Sequence, residues 1–155
     1  MSNMKDTLVF KNIVTIEIID KKTGKVKKKV VTDNVVCKYA AQRALTSIDN
    51  PSALGSAVVV ATINLFGTTK NKIKSLTGTW SGKTDTGTAW QDVLTATDSS
   101  TDAYTVQYLE LDVGDLPNYV SNPYFANAQS TAISKGSTDT LRISWTVSIS
   151  YSSAP

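Results

Sequence analysis

Histidine is absent from this 155-residue chain, and cysteine occurs once, as Cys37. Without histidine the chain lacks the usual general base of neutral pH and a principal nitrogen ligand for zinc and iron. A lone cysteine excludes an intrachain disulfide, so synthesis in a reducing compartment is expected. No apolar run approaches the ~20 residues of a membrane-spanning helix. The longest candidate, 57–66, is interrupted by Thr62 and Asn64. The opening MSNMKDTLVFKN has none of the three sections of a secretory signal. Also missing are a nucleophile elbow, a phosphate-binding glycine loop, a dinucleotide fingerprint and a Cys-x-x-Cys pair. No catalytic constellation, cofactor site or metal set is expected. Asp98 with Asp102, and Asp112 with Asp115, offer carboxylate pairs to a calcium ion, but neither pair sits in a defined loop pattern. Capping of turns is the stronger reading for all four.

What the chain does contain favours strands. Hydrophobic residues make up 41% and charged residues 19%, a globular balance. Serine and threonine are abundant, and the apolar runs are rich in valine and isoleucine. A length of 155 residues fits one domain with a core of its own, and the expectation is a single β-rich domain over 1–155.

Alternation gives the elements. In 8–19, Leu8, Phe10, Val14, Ile16 and Ile18 fall on one face at period two. A turn around Gly24 returns the chain as a second strand over 25–32, which makes an N-terminal β-hairpin. Asp33-Asn34 reads as a helix cap, followed by one α-helix over 35–48 that ends at Asn50-Pro51. Residues 57–66 and 104–113 read as strands, and 124–133 as an extended segment. The stretch 67–103 is dense in Gly, Thr, Ser and Asp and too long for a bare loop. Short strands or a projecting arm are expected there. The clearest element is 139–151, where Leu141, Ile143, Trp145, Val147, Ile149 and Tyr151 face one way and Arg142, Ser144, Thr146, Ser148 and Ser150 the other. The predicted core includes Phe10, Ile16, Tyr39, Leu141, Ile143, Trp145 and Val147. An antiparallel β-sandwich or jelly-roll-like sheet pair carrying one helix is the expected architecture.

Charge is unevenly distributed. Residues 1–83 hold fourteen Lys/Arg against five Asp/Glu, while 84–134 hold Asp85, Asp92, Asp98, Asp102, Glu110, Asp112 and Asp115 with no base. Two solvated surfaces are the plain explanation. A sharper one is head-to-tail complementarity between copies. Lys21, Lys22, Lys25, Lys27, Lys28 and Lys29 crowd the hairpin. Lysines on an exposed strand also block edge-to-edge aggregation. Nucleic-acid binding is the weaker reading, because no aromatic side chain interleaves them for base stacking. Trp80 and Trp90 lie in Gly/Thr-rich stretches without periodicity to bury them, and are read as interface residues. With Tyr104, Tyr108, Tyr119 and Tyr124 they also suit a carbohydrate surface.

Two parts of the chain resemble small tailed-phage virion proteins. The lysine-rich hairpin followed by VTDNVVCKYAAQRALTSI is similar to their "NLVTNAGLNAIA" opening, and INLFGTT to their short strand ending in Gly and Thr. The ending resembles their closing Ser-x-Asp-Thr-Leu-x-Ile-x-Trp-x-Ile strand, through Ser137, Asp139, Thr140, Leu141, Ile143, Trp145 and Val147. The sequence departs from that pattern at Cys37 and Lys38, where a small residue is usual. The resemblance implies a non-enzymatic virion component. As a capsid decoration or auxiliary protein it would clamp neighbouring subunits, the major capsid protein among them, and form a homo-oligomer such as a trimer. The alternative is a tail, collar or receptor-binding module that recognises a host glycan.

Overall fold

The computed structural model describes residues 9–36, 40, 61–113 and 124–151. Ten strands account for nearly all of them: β1 (Val9–Asp20), β2 (Val26–Val36), β3 (Ala61–Phe66), β4 (Lys72–Thr77), β5 (Thr79–Trp80), β6 (Thr84–Asp85), β7 (Ala89–Asp98), β8 (Tyr104–Val113), β9 (Tyr124–Lys135) and β10 (Asp139–Ser150). All pairings are antiparallel, in the order β4-β3-β8-β9-β2-β1-β10-β7-β5, with β6 also on β7. The sheet curls until its ends nearly meet, giving an almost closed barrel.

Two strands make the closure by changing partners. β2 pairs with β1 from Val26 to Asp33, then with β9 from Asn34 to Val36. On the far side, β4 pairs with β3 while β5, one residue further on, pairs with β7. Gly78 is the joint, and its N–H donates to the Ala61 carbonyl at 2.9 Å. A Cβ there would lie 2.5 Å from both Cγ and Cδ1 of Leu94, so only glycine lets the strand cross so close to β7. Changing partners in mid-strand is how curved sheets turn a corner without leaving a long free edge.

The interior follows from period-two alternation. Val14, Ile16 and Ile18 of β1 and Leu141, Ile143 and Trp145 of β10 are buried, joined by Ile63, Leu65, Leu94, Val106, Leu109, Leu111 and Ile133. Ile16, Leu141, Ile143 and Trp145 therefore stand where alternation places them. Val147 packs against the core only partly buried, although β10 stays paired with β1 and β7 through Ser150. Phe10 is also only partly covered, near the start of β1. Tyr39 lies outside the described residues.

Several buried strand positions break the apolar pattern, Asn12 and Asn64 among them. Asn12 is 3% exposed on the inward face of β1, and Asn34 meets it from β2. With its amide oriented to match its neighbours, Asn34 accepts from Trp145 Nε1 at 3.1 Å and from Asn12 Nδ2 at 2.8 Å. This buried amide pair explains a correction. Asp33-Asn34 is not a helix cap, because β2 continues through both to Val36, so Val35 and Val36 are strand residues. Of the expected helix, Val35 and Val36 are strand, Ala40 is helical and buried, and 37–39 and 41–48 fall outside the described residues. Residues 67–103 hold β4 to β7, all hydrogen-bonded into the sheet.

Candidate functional site

Three connections gather at one end of the barrel: the β1–β2 turn, the β7–β8 loop at 99–103 and the β9–β10 turn at 136–138. Lysines tie them together. Lys135 is 2% exposed, and its ammonium donates to the carbonyls of Ser100 and Asp102, both at 2.7 Å, and of Gly136 at 3.3 Å. It also lies 5.6 Å from the Tyr104 ring centre, a cation–π arrangement. Lys74 donates to Asp98 Oδ2 at 3.1 Å, Ser100 Oγ at 3.0 Å and Asp102 Oδ2 at 2.8 Å. Where a calcium ion would sit between Asp98 and Asp102, the structure places this ammonium.

The titration of the cluster follows from its contacts. Burial pushes the Asp98 carboxyl up, but donors from Tyr104 at 2.6 Å, from Ser100 and from Lys74 outweigh burial and hold it well below the usual carboxylate range. Burial and the Asp98 charge together push the Tyr104 hydroxyl far above its ordinary value. The hydrogen bond from Lys74 lowers Asp102 and raises Lys74 in return. Each proton is held where it is, so the cluster serves as a clasp on the loops. On the outer wall, burial raises Glu110 and Asp112 of β8 above the ordinary range, partly offset by Lys72. Beside them Phe66, Lys70, Tyr108, Glu110, Asn127 and Gln129 line an open groove of about 330 Å³.

The six hairpin lysines divide into two sets. Lys21 donates to the carbonyls of Ser100 and Ser137, each at 3.3 Å. Lys27 pairs with Asp139 at 2.8 Å, and Lys28 reaches the Ala132 carbonyl at 3.5 Å. These three belong to the fold. Lys22, Lys25 and Lys29 are exposed and take no acidic partner among the described residues.

The hairpin also carries apolar surface that the lysine count conceals. Pairing sets Val31 opposite Thr15, Asp33 opposite Ile13 and Val26 opposite Ile19, all on the outward face. Ile13 is 36% exposed, Val26 46%, Val31 59% and Val35 65%. The outward register of β1 was legible from the alternation; that β-branched residues of both strands would stand uncovered beside it was not. Beside them the barrel is open. Lys28 stands opposite buried Ile18, on the inward register, yet is itself exposed. From Val26 to Asp33, β2 has a partner strand on one side only, and the gap to β9 is bridged by side chains, such as Thr32 Oγ1 to the Gln129 carbonyl at 2.9 Å.

The tryptophans separate. Trp80 on β5 is partly buried and packs against the core from the barrel seam. Trp90 on β7 is 50% exposed. The acids of the second half are largely engaged within the chain. Asp85 accepts from the Tyr151 hydroxyl, and Asp92 from Ser81 Oγ and the Gly82 N–H, while Asp98 and Asp102 hold Lys74. Arg142 pairs with Glu17 across β10 and β1. With polar residues such as these, Ser144 and Lys11 outward and apolar ones inward, the wall is patterned opposite to a barrel in lipid. No helix of the described residues is long and apolar enough to cross a membrane. Comparison of the chain with protein-family models, with curated proteins and with solved structures finds no match.

Proposed function

We propose that this protein is a non-enzymatic virion structural component, a capsid decoration or auxiliary protein that binds and stabilises neighbouring capsid subunits. One observation carries the reading. The barrel engages most of its described charges internally, while one hairpin presents Lys22, Lys25 and Lys29, without acidic partners among the described residues, beside exposed Ile13, Val26 and Val31. Exposed apolar side chains mixed with unneutralised charge of one sign mark a surface built for another molecule. The resemblance of the opening hairpin and closing strand to small tailed-phage virion proteins supplies the setting. A stable contact of this kind buries over ~1,000 Å² in total, so subunits around the hairpin would share the work. The reading includes self-association, as a trimer for example, on the shell.

Sedimentation of the purified protein with capsids or empty shells of its virus tests this. Stoichiometric transfer onto shells is the expected result; a protein that stays in the supernatant at low and moderate salt refutes it. Exposed Trp90 favours a second reading, a tail or receptor-binding module for a host glycan. That reading requires a signal on a glycan array that Trp90→Ala abolishes.

A further inference from the structure

We infer that the groove on the outer wall of β3, β8 and β9 is a binding site for a neutral saccharide. Antiparallel pairing builds it. Tyr108 of β8 stands opposite Phe66 of β3 on one side and Gln129 of β9 on the other, and Glu110 stands opposite Asn127. Side chains paired in this way lie roughly 5 Å apart across strands, and successive outward positions roughly 7 Å apart along a strand. Tyr108, Gln129, Glu110 and Asn127 thus frame a patch the size of a sugar ring, in a groove of about 330 Å³. Lys70 closes one end. Its backbone is held at φ 61° by a turn in which its N–H donates to the Gly67 carbonyl at 3.0 Å, and its ammonium lies 5.1 Å from the Tyr108 ring centre. A non-glycine residue in the left-handed region is strained, and such strain gathers where a side chain must be aimed at a ligand.

Charge balance selects the ligand. The Tyr108 face already holds Lys70, and Lys72 already offsets Glu110, so a cation gains little. Asp112 follows Glu110 on the same face of β8, and its Oδ1 is buried with no hydrogen-bond partner among the described residues, so an anion is repelled. A wholly apolar ligand would leave the Glu110 carboxyl and the Asn127 and Gln129 amides facing hydrocarbon. A pyranose suits all of them. Its C–H face covers the rings of Phe66 and Tyr108, and its hydroxyls donate to Glu110 and accept from Lys70, while each amide offers a donor and an acceptor. Trp90 is no part of this site, since β9, β2, β1 and β10 separate β7 from β8 in the sheet order. The inference goes beyond the assembly reading and does not depend on it.

The test titrates maltotriose, cellotriose, β-galactotriose and chitotriose into the full chain and follows amide chemical shifts. Saturable binding of at least one is expected, with shifts confined to 66–72, 107–111 and 126–130 and no dependence on salt. Gln129→Ala and Glu110→Gln should each weaken it at least fivefold without lowering Tm, and Tyr108→Ala should abolish it. Trp90→Ala should leave it unchanged. No shift with any of the four sugars overturns the site, as do shifts on β7 that Trp90→Ala removes. Equal or tighter binding of the cationic chitosan trimer or the anionic galacturonate trimer overturns the neutral assignment. Shell sedimentation of Glu110→Gln should match that of wild type, so loss of sugar binding and loss of assembly are read as separate results.

Discussion

Gly78→Ala is the most direct test of how the barrel closes. The added methyl would sit 2.5 Å from Cγ and Cδ1 of Leu94 and 2.9 Å from Cδ2. Leu94 is 0% exposed, so it has nowhere to swing. Overpacking of this kind costs ~1–3 kcal/mol. Loss of glycine flexibility in the unfolded chain returns roughly 0.4–1 kcal/mol. The net is about 1–2 kcal/mol of destabilisation, or a fall in Tm of roughly 2–8 °C for a chain of this size. Urea unfolding followed by tryptophan fluorescence measures it. The mechanism makes a further demand. Leu94→Ala alone should cost ~2–5 kcal/mol through its cavity, and in the double variant the new methyl enters that space. The double variant should therefore be more stable than the sum of the single effects by about 1 kcal/mol or more. Additivity, or a Gly78→Ala protein as stable as wild type, would refute steric closure at this joint.

Two further outcomes follow from the clasp and the outer wall. Lys135→Met leaves the carbonyls of Ser100, Asp102 and Gly136 without their shared cation, and should cost about 2–4 kcal/mol in the same assay; Lys135→Arg should not restore it, since a planar fork does not fit a three-carbonyl cup. Acid titration should show two opposed effects. Asp98, Asp102 and Asp139 lie below their unfolded values, so their stabilisation is complete above about pH 4 and is lost as pH falls further. Glu110 and Asp112 are raised, so their ionisation opposes folding at neutral pH and that opposition fades as pH falls toward about 4. Stability should thus rise modestly on mild acidification before collapsing, and Glu110→Gln should reduce the rise; a monotonic fall from pH 7 in wild type would contradict the assignment.

Part of the barrel was legible in local pattern. β1 and β10 alternate regularly enough that their inward faces could be written down from spacing, and Ile16, Leu141, Ile143 and Trp145 stand there. Asn34 shows where local reading fails. An Asp-Asn pair before a small apolar run satisfies the rules for a helix start, but its amide is needed by Asn12 and Trp145 across the barrel, and such pairing leaves no local trace. The packing of Trp80 leaves no local trace either. Its strand has two residues, too few for periodicity, and what half-covers it is the crossing at Gly78 from one end of the sheet to the other. The clasp was hidden because Lys74 and Lys135 look like ordinary surface lysines until the β7–β8 loop is folded between them.

The charge asymmetry changes meaning once contacts are known. As a sequence property, a basic first half and an acidic second half imply copies that attract one another. In the fold, that attraction is partly spent inside one chain, since Lys74 of the basic half holds Asp98 and Asp102 of the acidic half, and Lys27 holds Asp139. Intramolecular pairs form at high effective concentration, so they win over the same pairs between copies. Among the described residues, the exposed lysines outside any ion pair include Lys22, Lys25 and Lys29 on the hairpin and Lys11 and Lys83 elsewhere, so what remains for other molecules is mainly positive. Self-association of this protein should therefore not be driven by opposite charge: raising salt should leave it unchanged or strengthen it by screening like charges. Capture of an acidic partner should weaken under the same change. Measuring both across one salt series separates a head-to-tail polymer from a protein that waits for a different chain.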